Sequence, residues 1–154
     1  MTTDLAPPRP AAERRRDAIA RLEAREADAW VATASVDGSV HLVPLSYAWR
    51  DDRIVIAVAT TSPTARNVEA SGQARLGFGP TRDVLVVDAE LDRAVPAGDA
   101  GGVGEAYATQ ADWDPRQEPD GYVFLVLAPR RIQAWRESNE LAGRLLMRDG
   151  TWLA

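Results

Sequence analysis

The stretch that decides the fold is residues 40–76, VHLVPLSYAWRDDRIVIAVATTSPTARNVEASGQARL. It begins with two apolar segments separated by the polar sequence RDD, a pattern that predicts a β-hairpin. A cluster of hydroxyl residues then opens into a short helix, for which Ser62 can provide the N-cap and Pro63 the first turn. Gly72 suits the left-handed residue that ends a helix. The stretch therefore predicts a hairpin followed directly by a short helix.

The start of that helix has the composition of an anion site. Free N–H groups at a helix N-terminus, together with hydroxyl side chains and an arginine, can bind an anion and most often a phosphate. Arg66 and Asn67 lie within the first turn and a half of the helix. An ordinary helix start with Arg66 in water is the alternative, and the spacing alone favours it. A phosphate here would indicate a phosphorylated cofactor lying across a small barrel.

The first strand of the hairpin is apolar on both of its faces. A strand of this kind is central in a sheet or is covered by another chain or a ligand. Proline cannot donate to a ladder, so Pro44 belongs at an edge or a bulge. A flat ring or a dimer partner could cover such an edge, and the strand alone favours the partner. The two faces carry Val43, Leu45 and Tyr47 on one side and Leu42, Pro44 and Ala48 on the other.

Composition excludes several kinds of chemistry. All 18 basic residues are arginines, so no lysine is present for a Schiff base, a pyridoxal phosphate linkage or a Walker A motif. The absence of cysteine excludes thiolate catalysis, disulfides and cysteine-ligated metals. The single histidine, His41, excludes a multi-histidine metal site. A net charge of −5 counts against nucleic-acid binding, which needs Lys and Arg to neutralise phosphates.

The length of 154 residues is that of one domain. Residues 1–10 are rich in proline and are predicted to form a flexible tail, and residues 11–154 a single domain that begins with a helix over 11–27. No segment resembles a signal peptide or a membrane span, so the expectation is a cytoplasmic protein without a membrane partner.

The remaining elements predict a mainly β protein. Short strands joined by hairpins fit an antiparallel barrel better than a parallel sheet, because no βαβ alternation is present. The glycine-rich segment 96–104 is predicted to be a flexible loop and 105–111 a helix. Strands are predicted at 30–36, 39–49, 53–59, 73–78, 84–95 and 122–128, with a continuation at 131–135, a helix or turn near 138–141 and a small hairpin around 149–150.

Several isolated residues have both a functional and a structural interpretation. His41 can act as a general acid or bond a ring carbonyl, although a lone strand histidine is more often structural. Trp135 can lie in the core or stack on a cofactor, and Arg82, at the tip of a turn, can reach a ligand. The carboxylates around Trp113 can do acid–base work, but they are more often part of a solvated loop; they are Asp112, Asp114, Glu118 and Asp120.

Taken in order, four segments of the chain resemble the pyridoxamine 5′-phosphate oxidase-like family of flavin-binding split barrels. The resemblance covers about residues 29–153. The segments are DGSVHLVPLSYAW, RIVIAVATTSPTARNVEASGQARLGF, TRDVLVVDAEL and PRRIQAWRESNELAGRLLMRDGTWL. It implies a Greek-key, antiparallel split β-barrel of about six to seven strands with short flanking helices.

The resemblance also implies a homodimer that binds flavin mononucleotide (FMN) between its subunits. In the family, the first hairpin strand runs beside the flavin ring, the hydroxyl cluster and helix start hold the phosphate and ribityl chain, and the second subunit adds further residues. The matching residues are His41, Val43, Pro44, Leu45 and Ser46 on the strand; Thr60, Thr61, Ser62, Thr64, Arg66 and Asn67 at the helix start; Arg82 and Asp83 near the polar edge of the ring; and Trp135 and Arg144 from the second subunit.

The sequence departs from the family at one important position. Many relatives carry a lysine where Thr64 stands, so Arg66 would have to hold the phosphate, and a deazaflavin, coenzyme F-420, is an alternative cofactor. His41 and Ser46 stand where the true oxidases bind the substrate phosphate, which argues against pyridoxamine phosphate. The expected function is a flavin-dependent oxidoreductase that transfers hydride between FMN and a small organic substrate. The alternatives are a deazaflavin-dependent reductase, a non-enzymatic dimeric module for flavin or haem, and a split barrel whose site has decayed.

Overall fold

The structure is a computed structural model that describes residues 4–118 and 121–154. Its helices are α1 (Ala11–Leu22), α2 (Pro63–Ser71) and α3 (Gly101–Ala111), with short 3₁₀ turns at Ala97–Asp99, Pro115–Gln117 and Ser138–Glu140. Its strands are β1 (Asp28–Ala34), β2 (Val40–Arg50), β3 (Arg53–Ala59), β4 (Gln73–Phe78), β5 (Val84–Pro96), β6 (Tyr122–Trp135), β7 (Leu145–Arg148) and β8 (Thr151–Trp152).

All of these strands belong to one antiparallel sheet in the order β3-β2-β1-β4-β5-β6-β7-β8. The sheet closes because β3 also pairs with β6, from Ile54 opposite Leu127 to Ala59 opposite Tyr122. Six strands therefore form a barrel, and β7 and β8 extend it beyond β6. This arrangement confirms the predicted mainly β split barrel with short helices.

The turns form where the sequence predicts them. Gly38 has a φ of 86° and joins β1 to β2 in the predicted Asp-Gly hairpin. The hydroxyl of Ser62 accepts a hydrogen bond from the Ala65 N–H at 3.1 Å and so caps α2. Gly72 ends α2 in the left-handed conformation, with a φ of 72°. The hairpin and the short helix of residues 40–76 are thus confirmed.

The prediction of a flexible loop over residues 96–104 is wrong. This segment forms the 3₁₀ turn Ala97–Asp99 and the first turn of α3. Its glycines permit close packing: a Cβ added at Gly102 would lie 2.7 Å from Nη1 of Arg50, and one added at Gly104 would lie 2.9 Å from Cδ of Arg116. In the sequence these glycines suggest a mobile segment. In the structure they leave room for two arginine side chains to pack against the helix.

Other boundaries also differ from the sequence prediction. The first helix ends at Leu22 rather than near residue 27, since β1 already begins at Asp28. The strand β6 continues through Pro129 without a break. The register with β5 shifts there, because Asp88 faces Arg131 while Ala89 faces Pro129, and the resulting bulge accommodates the proline.

The protein has two apolar cores. The first fills the barrel and is built from inward-facing side chains such as Val31, Ile56, Leu76 and Leu125. The second lies between α3 and the outer surface of the barrel. Its members include Ala48, Val55, Ala57, Val103, Tyr107, Phe124 and Val126. The alternating burial expected of a barrel strand is therefore lost on β3 and β6, which are buried on both faces.

An ion pair joins the segment before α1 to the turn after β6. Arg9 donates to both carboxylate oxygens of Glu140, at 2.9 Å and 2.8 Å, and both side chains are buried. These bonds lower the pKa of Glu140 to about 2. Residues 1–3 of the predicted flexible tail lie outside the described residues, whereas Arg9 is fixed against the domain. Among the described residues, no helix is long and apolar enough to cross a membrane.

Candidate functional site

The candidate site is a groove where β2 and β3 separate. The two strands pair only from Tyr47 opposite Ile56 to Arg50 opposite Arg53. The earlier part of β2 pairs with β1 alone, so its other edge is open. A groove of about 630 Å³ lies along this gap, between the open edge of β2, the end of β3 and the start of α2. Its size lies in the range typical of cofactor sites.

The open edge of β2 presents backbone polar groups to the groove. The Ser35 N–H donates to the Ser39 carbonyl at 2.9 Å next to the hairpin turn, and antiparallel bonded pairs alternate from there. By this alternation, the N–H and C=O groups of Leu42 and Ser46 point away from β1. Pro44 belongs to the same alternating set as Leu42 and Ser46, so its missing N–H removes no hydrogen bond to β1. The predicted edge position of Pro44 is confirmed.

Hydroxyl groups form one end of the groove. Ser62 and Thr64 line it, and Thr60 and Thr61 occupy the adjoining exposed turn. The Thr60 N–H donates to the Gly121 carbonyl at 3.1 Å, which ties this turn to the start of β6. The exposed Arg66 bonds the Thr61 carbonyl through its guanidinium. Hydroxyl groups, a helix start and one arginine are therefore close together, as the phosphate hypothesis requires.

Aromatic side chains form a wall of the groove that the sequence analysis did not assign to the site. Tyr107 of α3, Trp113 from the following loop and Tyr122 of β6 line it. Trp113 contacts Tyr122 edge-to-face, with ring centroids 5.4 Å apart, and lies 6.2 Å from Tyr107. Burial raises the pKa of Tyr107, whose hydroxyl donates to the Ser46 carbonyl at 3.4 Å. The three residues come from different elements, and the pairing of β3 with β6 places Tyr122 opposite Ala59 at the groove, so no local pattern signals them as a set.

Two of the carboxylates around Trp113 are engaged in bonds that hold the loop in place. Arg116 donates to both oxygens of Asp114, at 2.8 Å and 2.9 Å, and this bonding lowers the pKa of Asp114. Glu118 accepts a hydrogen bond from the Trp113 indole at 2.9 Å. Asp112 ends α3 in a left-handed conformation. Asp120 lies outside the described residues.

The structure brings about half of the predicted site residues to this groove. The lining includes His41, Val43, Pro44, Leu45, Ser46, Ser62 and Thr64, while Thr60, Thr61 and Arg66 adjoin its hydroxyl end. Asn67 is elsewhere: its side chain is buried and donates to the Thr33 hydroxyl at 3.1 Å, which links α2 to β1. Its position in the helix faces the barrel wall rather than the groove.

The other predicted residues do not line the groove of their own chain. Asp83 pairs with Arg21 at 2.9 Å and with Arg136 at 3.4 Å. Arg82 lies 3.6 Å from Glu137, and Arg144 donates to the Leu141 carbonyl at 2.8 Å. Trp135 ends β6, opposite Val84. All of these residues lie near the start of β5 or the connection between β6 and β7.

The residues of the groove fit a flavin-type cofactor. Apolar side chains and open backbone groups suit a flat heterocycle, and the hydroxyl end suits a phosphate or ribityl chain. Thr64, only 2% exposed, adds no positive charge to the hydroxyl end. Within the described lining, Asp28 and His41 are the acidic and basic side chains. A phosphate would therefore depend on Arg66, from the rim.

No protein-family model and no curated protein sequence matches this chain. Solved structures do. An F-420 reductase matches with a TM-score of 0.62 and 19% identity, over 73% of this chain and 93% of its own. A protein of Listeria innocua, described as a candidate pyridoxamine 5′-phosphate oxidase, matches with a TM-score of 0.60 and 13% identity. The match covers 79% of this chain and 98% of the other.

A third structure, a heme binding protein from Mycobacterium smegmatis, matches with a TM-score of 0.63 and 20% identity, over 92% of this chain and 59% of its own. At these identities the likenesses show a shared fold. The protein therefore has the split-barrel fold of the pyridoxamine 5′-phosphate oxidase-like proteins.

Proposed function

We propose that the protein binds FMN in the groove between β2 and β3 and is a flavin-dependent oxidoreductase acting on a small organic substrate. The observation that carries this proposal is the groove itself. An open strand edge, apolar side chains and a hydroxyl-rich helix start lie along one gap in the barrel. Structures with this fold include an F-420 reductase and a candidate pyridoxamine 5′-phosphate oxidase.

In this proposal each part of the groove has a separate role. The flavin supplies hydride transfer when it is bound, and the protein supplies binding, orientation and polarity. The open N–H and C=O groups of Leu42 and the N–H of Ser46 would orient the ring, and His41 can hydrogen-bond its polar atoms. Ser62, Thr64 and Arg66 hold the phosphate. No protein nucleophile is required, which suits a chain without cysteine or lysine.

A homodimer is part of the proposal. Trp30, Val40 and Leu42 form an apolar patch on the outside of the β1–β2 hairpin, and they are 55%, 88% and 59% exposed. An exposed apolar patch of this kind often marks an interface. A partner subunit would also supply Trp135 and Arg144, which lie outside the groove of their own chain. Each groove would then be completed by the partner.

The test is a titration of the purified protein with FMN, riboflavin and the deazaflavin F-420. Binding of at least one of them at micromolar protein is expected, and binding of none would contradict the proposal. Arg66→Ala should weaken FMN binding by about 1.5–3 kcal/mol, because a charge-assisted bond is lost, and leave riboflavin unchanged. Arg148→Ala, which removes an exposed arginine of β7, is the control. A tighter complex with the deazaflavin than with FMN would identify the deazaflavin as the cofactor.

A binding module without catalysis is the second candidate, and the position of His41 favours it. The single histidine of the chain lines the groove, and histidine is a common axial ligand of haem iron. One structure with this fold is a heme binding protein. Haem binding that is lost in His41→Ala would support this candidate. Rapid reoxidation of bound, reduced flavin by an added substrate would support the oxidoreductase.

A further inference from the structure

Two aromatic rings of the groove wall pack against the second core but are only partly buried, and they line the groove. Tyr107 is almost fully buried and packs against Phe124, with ring centroids 5.3 Å apart. Trp113 and Tyr122 are only half-buried, and their rings meet edge-to-face at 82°. This pair leaves apolar ring surface exposed within a concave site. Such surface is available to stack against a planar ligand.

The Trp113 ring is fixed from outside the groove. Its indole N–H donates to Glu118 at 2.9 Å, and the two bonds between Arg116 and Asp114 hold the same loop. Glu118 and Arg116 do not belong to the lining. The ring is therefore oriented before any ligand arrives, which lowers the entropic cost of binding against it.

The charges near this wall favour a neutral or cationic ligand. The carboxylate of Asp28 lines the groove and accepts a hydrogen bond from the Ser46 hydroxyl at 2.8 Å. The nearby Arg116 is engaged by Asp114 and Glu105. No arginine belongs to the described lining of the groove. An anionic group would meet Asp28, whereas a cation would be attracted both by Asp28 and by an indole face.

We propose that Trp113 and Tyr122 form a subsite for the second reactant, and that this subsite selects a planar aromatic compound that is neutral or cationic over one that is anionic. This inference rests on the proposed function, since the second reactant must meet the bound flavin. Tyr107 is a positioning residue: it supports Trp113 from the core and is tied to the open edge of β2 through Ser46.

Three matched probes test the subsite: the N-methylquinolinium cation, neutral quinoline and anionic quinoline-2-carboxylate. Their affinities are measured by equilibrium dialysis, with the protein loaded with FMN and again without it. The cation and the neutral probe should bind more tightly than the anion. Trp113→Ala should weaken binding of the cation about threefold to thirtyfold, the range expected for a lost cation–π contact, and should weaken FMN binding by a smaller factor. Trp113→Phe should retain most of the affinity for the cation.

A second variant tests the charge argument. Asp28→Asn should lower the preference for the cation over the anion by about twofold to fivefold, as expected for one partly exposed ion pair. The subsite is contradicted if the anion binds most tightly or if Trp113→Ala leaves the affinities of all three probes unchanged. It is also contradicted if this variant weakens FMN binding as much as binding of the cation. Absence of FMN and deazaflavin binding in the unmodified protein would overturn the proposed function instead. Probe binding that is lost in Trp113→Ala without flavin would then still support an aromatic subsite.

Discussion

Glu140 is a buried carboxylate whose charge is held by four hydrogen-bond donors. The backbone and guanidinium of Arg9 donate to it, at 3.0, 2.9 and 2.8 Å, and so does the Arg136 N–H, at 2.8 Å. The guanidinium of Arg14 bonds the carbonyls of Arg9 and Glu140, at 3.1 and 3.2 Å. Removal of one partner from such a network leaves a charge without compensation in the interior.

Glu140→Gln should therefore lower the free energy of unfolding by about 3–5 kcal/mol near pH 7. The pKa of Glu140 falls from 4.5 to about 2 on folding, so the folded state binds this proton more weakly than the unfolded state. The contribution of the Glu140 carboxylate to the free energy of unfolding is complete above pH 4.5 and is lost as the pH falls toward 2. Urea unfolding at pH 7 and pH 3 should show a smaller difference between the variant and the unmodified protein at pH 3. An equal difference at both pH values would contradict this assignment, and Glu69→Gln, on the exposed side of α2, is the control.

At the scale of secondary structure elements, one side chain at the start of α2 has a structural role and a proposed binding role. Ser62 caps the helix and also lines the groove. The two functions differ chemically, because a cap requires only an acceptor oxygen, whereas a phosphate requires that no negative charge be close by.

Substitutions of Ser62 should separate these two functions. Ser62→Ala should reduce the free energy of unfolding by about 1 kcal/mol through loss of the cap. Ser62→Asp keeps the acceptor, so its stability should lie within about 0.5 kcal/mol of the unmodified protein. The same aspartate should weaken FMN binding relative to riboflavin, because it repels the phosphate. Thermal unfolding and flavin titration of both variants measure this, and an equal effect of Ser62→Asp on both flavins would show that no phosphate lies here.

The elements that sequence reasoning predicted well are those whose signals are local. The bounds of β3 and β4, Arg53–Ala59 and Gln73–Phe78, match the prediction, because polar turns and helix caps mark each end. The start of α3 was missed, since glycines that permit packing look the same as glycines that permit motion. The aromatic wall was missed as well, because Tyr107 and Tyr122 become neighbours only through closure of the barrel. Asn67 is of a residue type that can bind a ligand, but its position in the helix directs its side chain to Thr33.

At the scale of the whole molecule, the apolar patch of the β1–β2 hairpin should decide the oligomeric state. Leu42→Asp places a charge in the proposed interface and should convert a dimer of twice 16.7 kDa into a monomer. Sedimentation velocity measures this, with Leu153→Asp, at an exposed position near the C-terminus, as the control. Because the partner is proposed to complete each groove, the monomer should also bind FMN more weakly. A Leu42→Asp protein that remains dimeric would show that another surface forms the interface.

The pairing of β3 with β6 has a consequence for how the chain folds. Ile54 and Leu127 must meet across almost half of the sequence, so this closure has an entropic cost and is expected to come late. Until then β3 is an apolar strand with an unpaired edge, and such edges join other chains readily. Refolding from denaturant should therefore be slow and should give less native protein as the chain concentration rises.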